Sequence, residues 1–113
     1  TETRINKTGQ TVTGSHLALR RLDNAQTKLD EILVRKIRIN EAFNGLAGGP
    51  ALISEMNSFY QEKLDTVVEK SAPFLEKVAV GSGSSYQFNF DMSRPELQKL
   101  AHKREYSEEG WGW

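Results

Sequence analysis

The chain has 113 residues, with 15 basic and 15 acidic side chains, two His and no Cys, which bounds it to one small unit without room for a second domain. A formal charge of zero, with bases and acids interleaved, lacks the electrostatic footprint of a nucleic-acid binder. The missing Cys removes disulfide scaffolds, thiolate metal sites and thiol nucleophiles, and no apolar stretch approaches the roughly 20 residues that cross a bilayer.

With 37% apolar residues and a mean hydropathy of -0.57, a compact monomer would have little core to offset the entropy of ordering the chain, so help from a partner is expected. Residues 1–14 (TETRINKTGQTVTG) are polar and without apolar periodicity, and read as an N-terminal arm. Thr1 in place of an initiating Met is what removal of a targeting segment leaves, and what a fragment boundary leaves as well.

Ser15 can cap a helix, and Ala18, Leu22, Ala25, Leu29 and Ile32 then recur at three- and four-residue steps on one face. Beyond Ile32 the apolar set becomes Leu33, Val34, Ile37, Ile39 and Phe43, spread over more than one stripe, as in a helix contacted from two sides. Asn44-Gly45 stops it. A helix over about 15–44 is on the order of 40 Å long, more than a compact domain of this size spans, so the pattern predicts an extended strut.

Gly48-Gly49-Pro50 is a breaker followed by a start signal. Leu52, Ile53, Met56, Phe59, Tyr60, Leu64, Val67 and Val68 follow at helical spacing, predicting a second helix over about 50–70. Ser71-Ala72-Pro73 interrupts it, and a short further turn is expected over about 73–80. Residues 81–85 (GSGSS) form a linker, after which Tyr86, Phe88 and Phe90 alternate with polar residues in an extended segment. No second strand pattern is evident, so the three aromatics are expected to dock on another surface or to pair with a partner's edge strand. Ser93-Arg94-Pro95-Glu96 reads as a capping box opening a last helix from about Arg94 to Tyr106. The tail that follows carries Trp111 and Trp113, two candidate interface anchors.

Catalytic and cofactor chemistry finds little footing. His16 and His102 stand apart from other ligands and read as solvated residues, and no H-E-x-x-H, C-x-x-C or calcium-type loop occurs. The Gly/Ser run lacks the Gly-Lys-Ser/Thr of a phosphate loop, and G-x-S-x-G is absent. The basic cluster Arg35-Lys36-Arg38 reads as a solvated helix face laced with Asp30, Glu31 and Glu41, although as a set with Arg20-Arg21 it can orient docking on an acidic partner. No metal, cofactor or catalytic residue is expected.

Ile32-Leu33-Val34-Arg35-Lys36-Ile37-Arg38 resembles the L-F-V-D-K-I-R segment of coupling factor 6, a small subunit of the mitochondrial ATP synthase stator. In that family K-I-R is followed after nine residues by G-G-P, and here Lys36-Ile37-Arg38 is followed after nine residues by Gly48-Gly49-Pro50. Tyr60-Gln61-Glu62-Lys63-Leu64 is similar to the family's Y-Q-x-E-L, with about three extra residues before it. Tyr86-Gln87-Phe88-Asn89-Phe90-Asp91, with Pro95 shortly after, is similar to its F-x-F-E-x-P stretch. The resemblance covers roughly residues 29–95. The family's D-P-I-Q lead-in is missing, the first helix is extended at its N-terminus, and a C-terminal helix with a Trp tail is added.

The resemblance implies a non-catalytic peripheral-stalk subunit on the matrix side of the mitochondrial inner membrane, bound along other stalk and ATP synthase subunits. Such a subunit helps hold the catalytic head against rotor torque during proton-driven ATP synthesis. The expected fold is mainly α: a hairpin-like helical strut with an extended aromatic segment and a short C-terminal helix, not a compact globule. The expected partner-binding residues are Leu33, Ile37, Arg38, Phe43, Met56, Phe59, Tyr60, Leu64, Tyr86, Phe88, Phe90, Trp111 and Trp113. A helical accessory subunit of another large mitochondrial membrane complex, or a small autonomous binding module, are the rival readings.

Overall fold

The computed structural model describes residues 1–103 other than Lys7, Ser82 and Ser84. Its elements are β1 (Glu2–Ile5), β2 (Thr11–Gly14), α1 (His16–Phe43), α2 (Gly49–Leu75), β3 (Val78–Val80) and α3 (Pro95–His102), a mainly α chain with a small antiparallel sheet. Two compact units divide it. Unit 1 comprises Thr1–Leu29 and Leu64–Asn89, and unit 2 comprises Asp30–Lys63 with the described residues from Phe90 onwards.

In unit 1 the expected arm is a hairpin. β1 pairs antiparallel with β2, Glu2 opposite Gly14 and Ile5 opposite Thr11, and β3 adds on the other side of β2 with Val12 opposite Val80 and Gly14 opposite Val78. The Asn6 side chain organises the hairpin loop: its Oδ1 accepts the backbone N–H of Thr8 at 3.0 Å and of Gln10 at 2.9 Å, so a short polar side chain does the work of a backbone turn. Thr3 and Thr13 join hydroxyls across the strands at 2.7 Å. Gly14 is required by close approach, since a Cβ there would meet Val78 Cγ1 at 2.6 Å and the Lys77 carbonyl oxygen at 3.1 Å.

α1 begins as its sequence predicts, with Ser15 Oγ accepting the Ala18 N–H at 3.1 Å. Its first half buries Ala18, Leu19, Leu22, Ala25 and Leu29 within unit 1, and its second half buries Leu33, Val34, Ile37 and Ile39 within unit 2. Gly45 and Gly48, both at positive φ, turn the chain from α1 into α2. In the turn Leu46 N–H donates to the Phe43 carbonyl at 3.3 Å and Gly49 N–H to the Leu46 carbonyl at 2.9 Å.

α2 departs from expectation at its C-terminal end. The predicted break at Ser71-Ala72-Pro73 does not occur, and the helix continues to Leu75 with Pro73 inside it. Pro in the last turn removes only a bond near the frayed end, and Ser71 Oγ donates to the Val67 carbonyl at 2.8 Å, keeping the turn closed. The turn expected over 73–80 is instead the end of α2 followed by β3, because Val78–Val80 finds an open edge on β2.

The capping box also fails to form. Asp91 Oδ1 takes both the Ser93 backbone N–H (2.9 Å) and the Ser93 hydroxyl (2.6 Å), so the Ser93 side chain is spent on a local turn and α3 starts one residue later, at Pro95, without a side-chain cap. α3 lodges in unit 2 through buried Leu97 and Ala101. Arg38 donates to the Ala101 carbonyl at 2.7 Å, and Arg94 pairs with Asp30 at 2.6 Å. α3 ends at His102, with Lys103 extended beyond it, short of the expected end at Tyr106; residues 104–106 and the anchors Trp111 and Trp113 lie outside the described residues.

Candidate interaction surfaces

Most of the residues expected to bind partners are occupied within the chain. Leu33, Ile37, Tyr60, Leu64, Tyr86 and Phe88 are buried, and Arg38 is half-buried with its guanidinium on Ala101. Burial also raises the Tyr60 hydroxyl pKa above 10.0, against an opposing pull from the Arg35 charge. The Arg35-Lys36-Arg38 cluster, read from sequence as a solvated face, is half-buried throughout.

What remains exposed is narrower. Phe59 is 49% exposed and Leu52 43%, seven residues apart on the outward side of α2 in unit 2, with Met56 half-buried at the edge of the stripe. Glu55 and Glu62 flank it, and the Lys63 ammonium sits 4.8 Å from the Phe59 ring centroid. Leu46, in the turn between α1 and α2, is 54% exposed; Phe43 is half-buried, and Phe90 is exposed.

The aromatic segment holds the arrangement that sequence reasoning missed. It joins no helix or strand, and Tyr86 and Phe88 are buried in unit 1 and pack edge to face with ring centroids 5.4 Å apart. The Tyr86 hydroxyl accepts a bond from the Asn6 amide at 3.3 Å, and burial raises its pKa above 10.0, with nearby Asp23 adding to the rise. Gln26, in the middle of α1, donates its side-chain N–H to the Asn89 carbonyl and accepts the Asn89 N–H at its own carbonyl, both at 3.0 Å. A helix side chain thus supplies the two bonds that a neighbouring strand would have made. The only sequence signal was a Gln on an otherwise apolar helix face.

His16 and His102 are exposed, each beside one carboxylate, Glu2 at 3.0 Å and Glu41 at 2.8 Å. Among the described residues no group of three His, Asp or Glu side chains stands ready for a metal ion, and no helix is long and apolar enough to cross a membrane. Comparison with protein-family models, with curated proteins and with solved structures finds no match.

Proposed function

We propose that the chain is a non-catalytic structural subunit of the peripheral stalk of the mitochondrial ATP synthase, held on the matrix side of the inner membrane by other stalk and ATP synthase subunits. The observation that carries this reading is the ordered series of Lys36-Ile37-Arg38, Gly48-Gly49-Pro50, Tyr60-Gln61-Glu62-Lys63-Leu64 and Tyr86-Gln87-Phe88, each similar to a coupling factor 6 segment and nearly at its spacing. In support, the first lies in α1, the second opens α2 and the third lies in α2, while the fourth lies outside helix and strand. Helices of 28 and 27 residues suit a part that resists bending through many distributed contacts. Among the exposed apolar residues of unit 2, Leu46, the Leu52–Phe59 stripe of α2 and Phe90 are open to a neighbour, as are Ile5 and Leu17 in unit 1.

The reading is tested by tagging the chain in its native cells and asking whether ATP synthase subunits copurify. Migration on blue-native gels separates it from a subunit of another mitochondrial complex. A second reading, a small autonomous binding module, is favoured by one observation: Tyr86 and Phe88, which a stalk subunit would offer to a neighbour, are buried in the chain's own unit 1. That reading expects the isolated chain to melt as a cooperative monomer, whereas a subunit that depends on its partners is expected to melt broadly.

A further inference from the structure

The turn between α1 and α2 contains Asn44-Gly45, the only Asn-Gly pair in the sequence. Beyond stopping α1, the pair has a chemistry of its own. An Asn carboxamide can swing onto the backbone nitrogen of the next residue, and a Gly there has no side chain to obstruct the approach.

Local structure decides whether this chemistry is open in the folded chain. Asn44 and Gly45 are both exposed, Gly45 stands at φ 80°, and the space its Cβ would enter is empty to 4 Å. The backbone bonds that close the turn run from Leu46 to Phe43 and from Gly49 to Leu46, so they bypass the Asn44–Gly45 peptide.

The other Asn residues are held. Asn24, Asn40 and Asn57 lie within α1 or α2, where the N–H of the next residue is committed to a helical bond. Asn6 Oδ1 takes the Thr8 and Gln10 amides, and the Asn89 backbone is bonded at both its N–H and its C=O by Gln26. None of these five is followed by Gly.

We propose that Asn44 is a site of spontaneous deamidation, which turns a neutral α1–α2 turn acidic without an enzyme. The Gly45 N–H gives its proton to solvent base, the nitrogen bonds to Asn44 Cγ, and the Cγ–Nδ2 bond breaks, Nδ2 leaving as ammonia with a proton from water. One water then opens the five-membered imide. Breaking the Cγ–N bond leaves an aspartate at position 44, and breaking the backbone C–N bond leaves an isoaspartate, whose main chain runs through Cγ and is one carbon longer. Either product sets a carboxylate just past the end of α1, where the last carbonyls disfavour negative charge. That charge stands three residues from Glu41 and two from the exposed Leu46. The proposal concerns the chain itself and holds whichever assembly receives it.

The test incubates the full chain in warm buffer from neutral to mildly alkaline pH and follows every Asn by peptide mapping and mass spectrometry. Asn44 is expected to convert at least tenfold faster than any other Asn, at a rate that rises with pH, giving isoaspartate as well as aspartate. Ion exchange is expected to show a more acidic species that accumulates in the wild-type chain and not in Asn44→Gln. The same incubation in guanidinium chloride isolates the effect of the fold, and the folded rate at Asn44 is expected to stay within tenfold of the unfolded one. A folded rate more than tenfold slower, aspartate without isoaspartate, or another Asn converting first overturns the proposal.

Discussion

Gln26 carries more of unit 1 than its place in an amphipathic pattern suggests. Its carboxamide makes both hydrogen bonds to Asn89 while almost wholly removed from water. Gln26→Ala leaves the Asn89 N–H and C=O without these partners, and chemical denaturation is expected to register a loss of about 1–3 kcal/mol. Asn89→Ala, which keeps the backbone that the clamp holds, is expected to lose clearly less.

Tyr86 gives the same region a pH signature. Burial holds its hydroxyl neutral and raises its pKa above the ordinary 10.0. The sign follows: the stabilisation is complete below pH 10 and is lost as pH rises through the folded-state value, because the unfolded chain releases the proton first. Thermal melts across the alkaline range are expected to show falling stability above pH 10. Tyr86→Phe is expected to reduce that slope without abolishing it, since burial shifts Tyr60 in the same direction.

Among the elements, the small sheet is the most exacting. Gly14→Ala is expected to destabilise by about 1–3 kcal/mol through contact with Val78 Cγ1 and the Lys77 carbonyl, and Val78→Ala to restore part of the loss, both read by denaturant midpoints. The two long helices were legible in the sequence because their signals are local: the Ser15 cap, the three-and-four spacing of apolar residues, and the glycines of the turn between them. The sheet was not. Thr3, Ile5, Thr11, Val12 and Thr13 are β-branched, but the pairing puts Ile5 on the face of the three Thr and Val12 on the other, so no apolar period of two shows, and the third strand lies more than sixty residues downstream, where Val78-Ala79-Val80 also suits a helical turn.

The aromatic segment was legible as a break from helix, and its destination was not. What receives it is a single amide on a helix, and no strand pattern exists to announce that. Spacing likewise identifies a buried face without saying whether the same chain or another covers it. Leu33, Ile37, Tyr60 and Leu64 are covered by their own chain, and Phe59 is left exposed.

For the molecule as a whole, the open question is what meets the Leu52–Phe59 stripe. Exposed substitutions away from caps and cores change stability by little, typically within 0.5 kcal/mol or so. Leu52→Ser/Phe59→Ser is therefore expected to leave the melt of the isolated chain nearly unchanged while lowering recovery of partner subunits several-fold in a pull-down. A large drop in the melt instead would assign the stripe to the chain's own packing.

The most direct measurement is affinity purification of the tagged chain from mitochondria under mild detergent, followed by identification of what comes with it. The stalk account predicts ATP synthase subunits in stoichiometric amounts, with the tagged chain migrating on blue-native gels with the whole enzyme. Recovery of the chain alone, or with the subunits of a different complex, would contradict it.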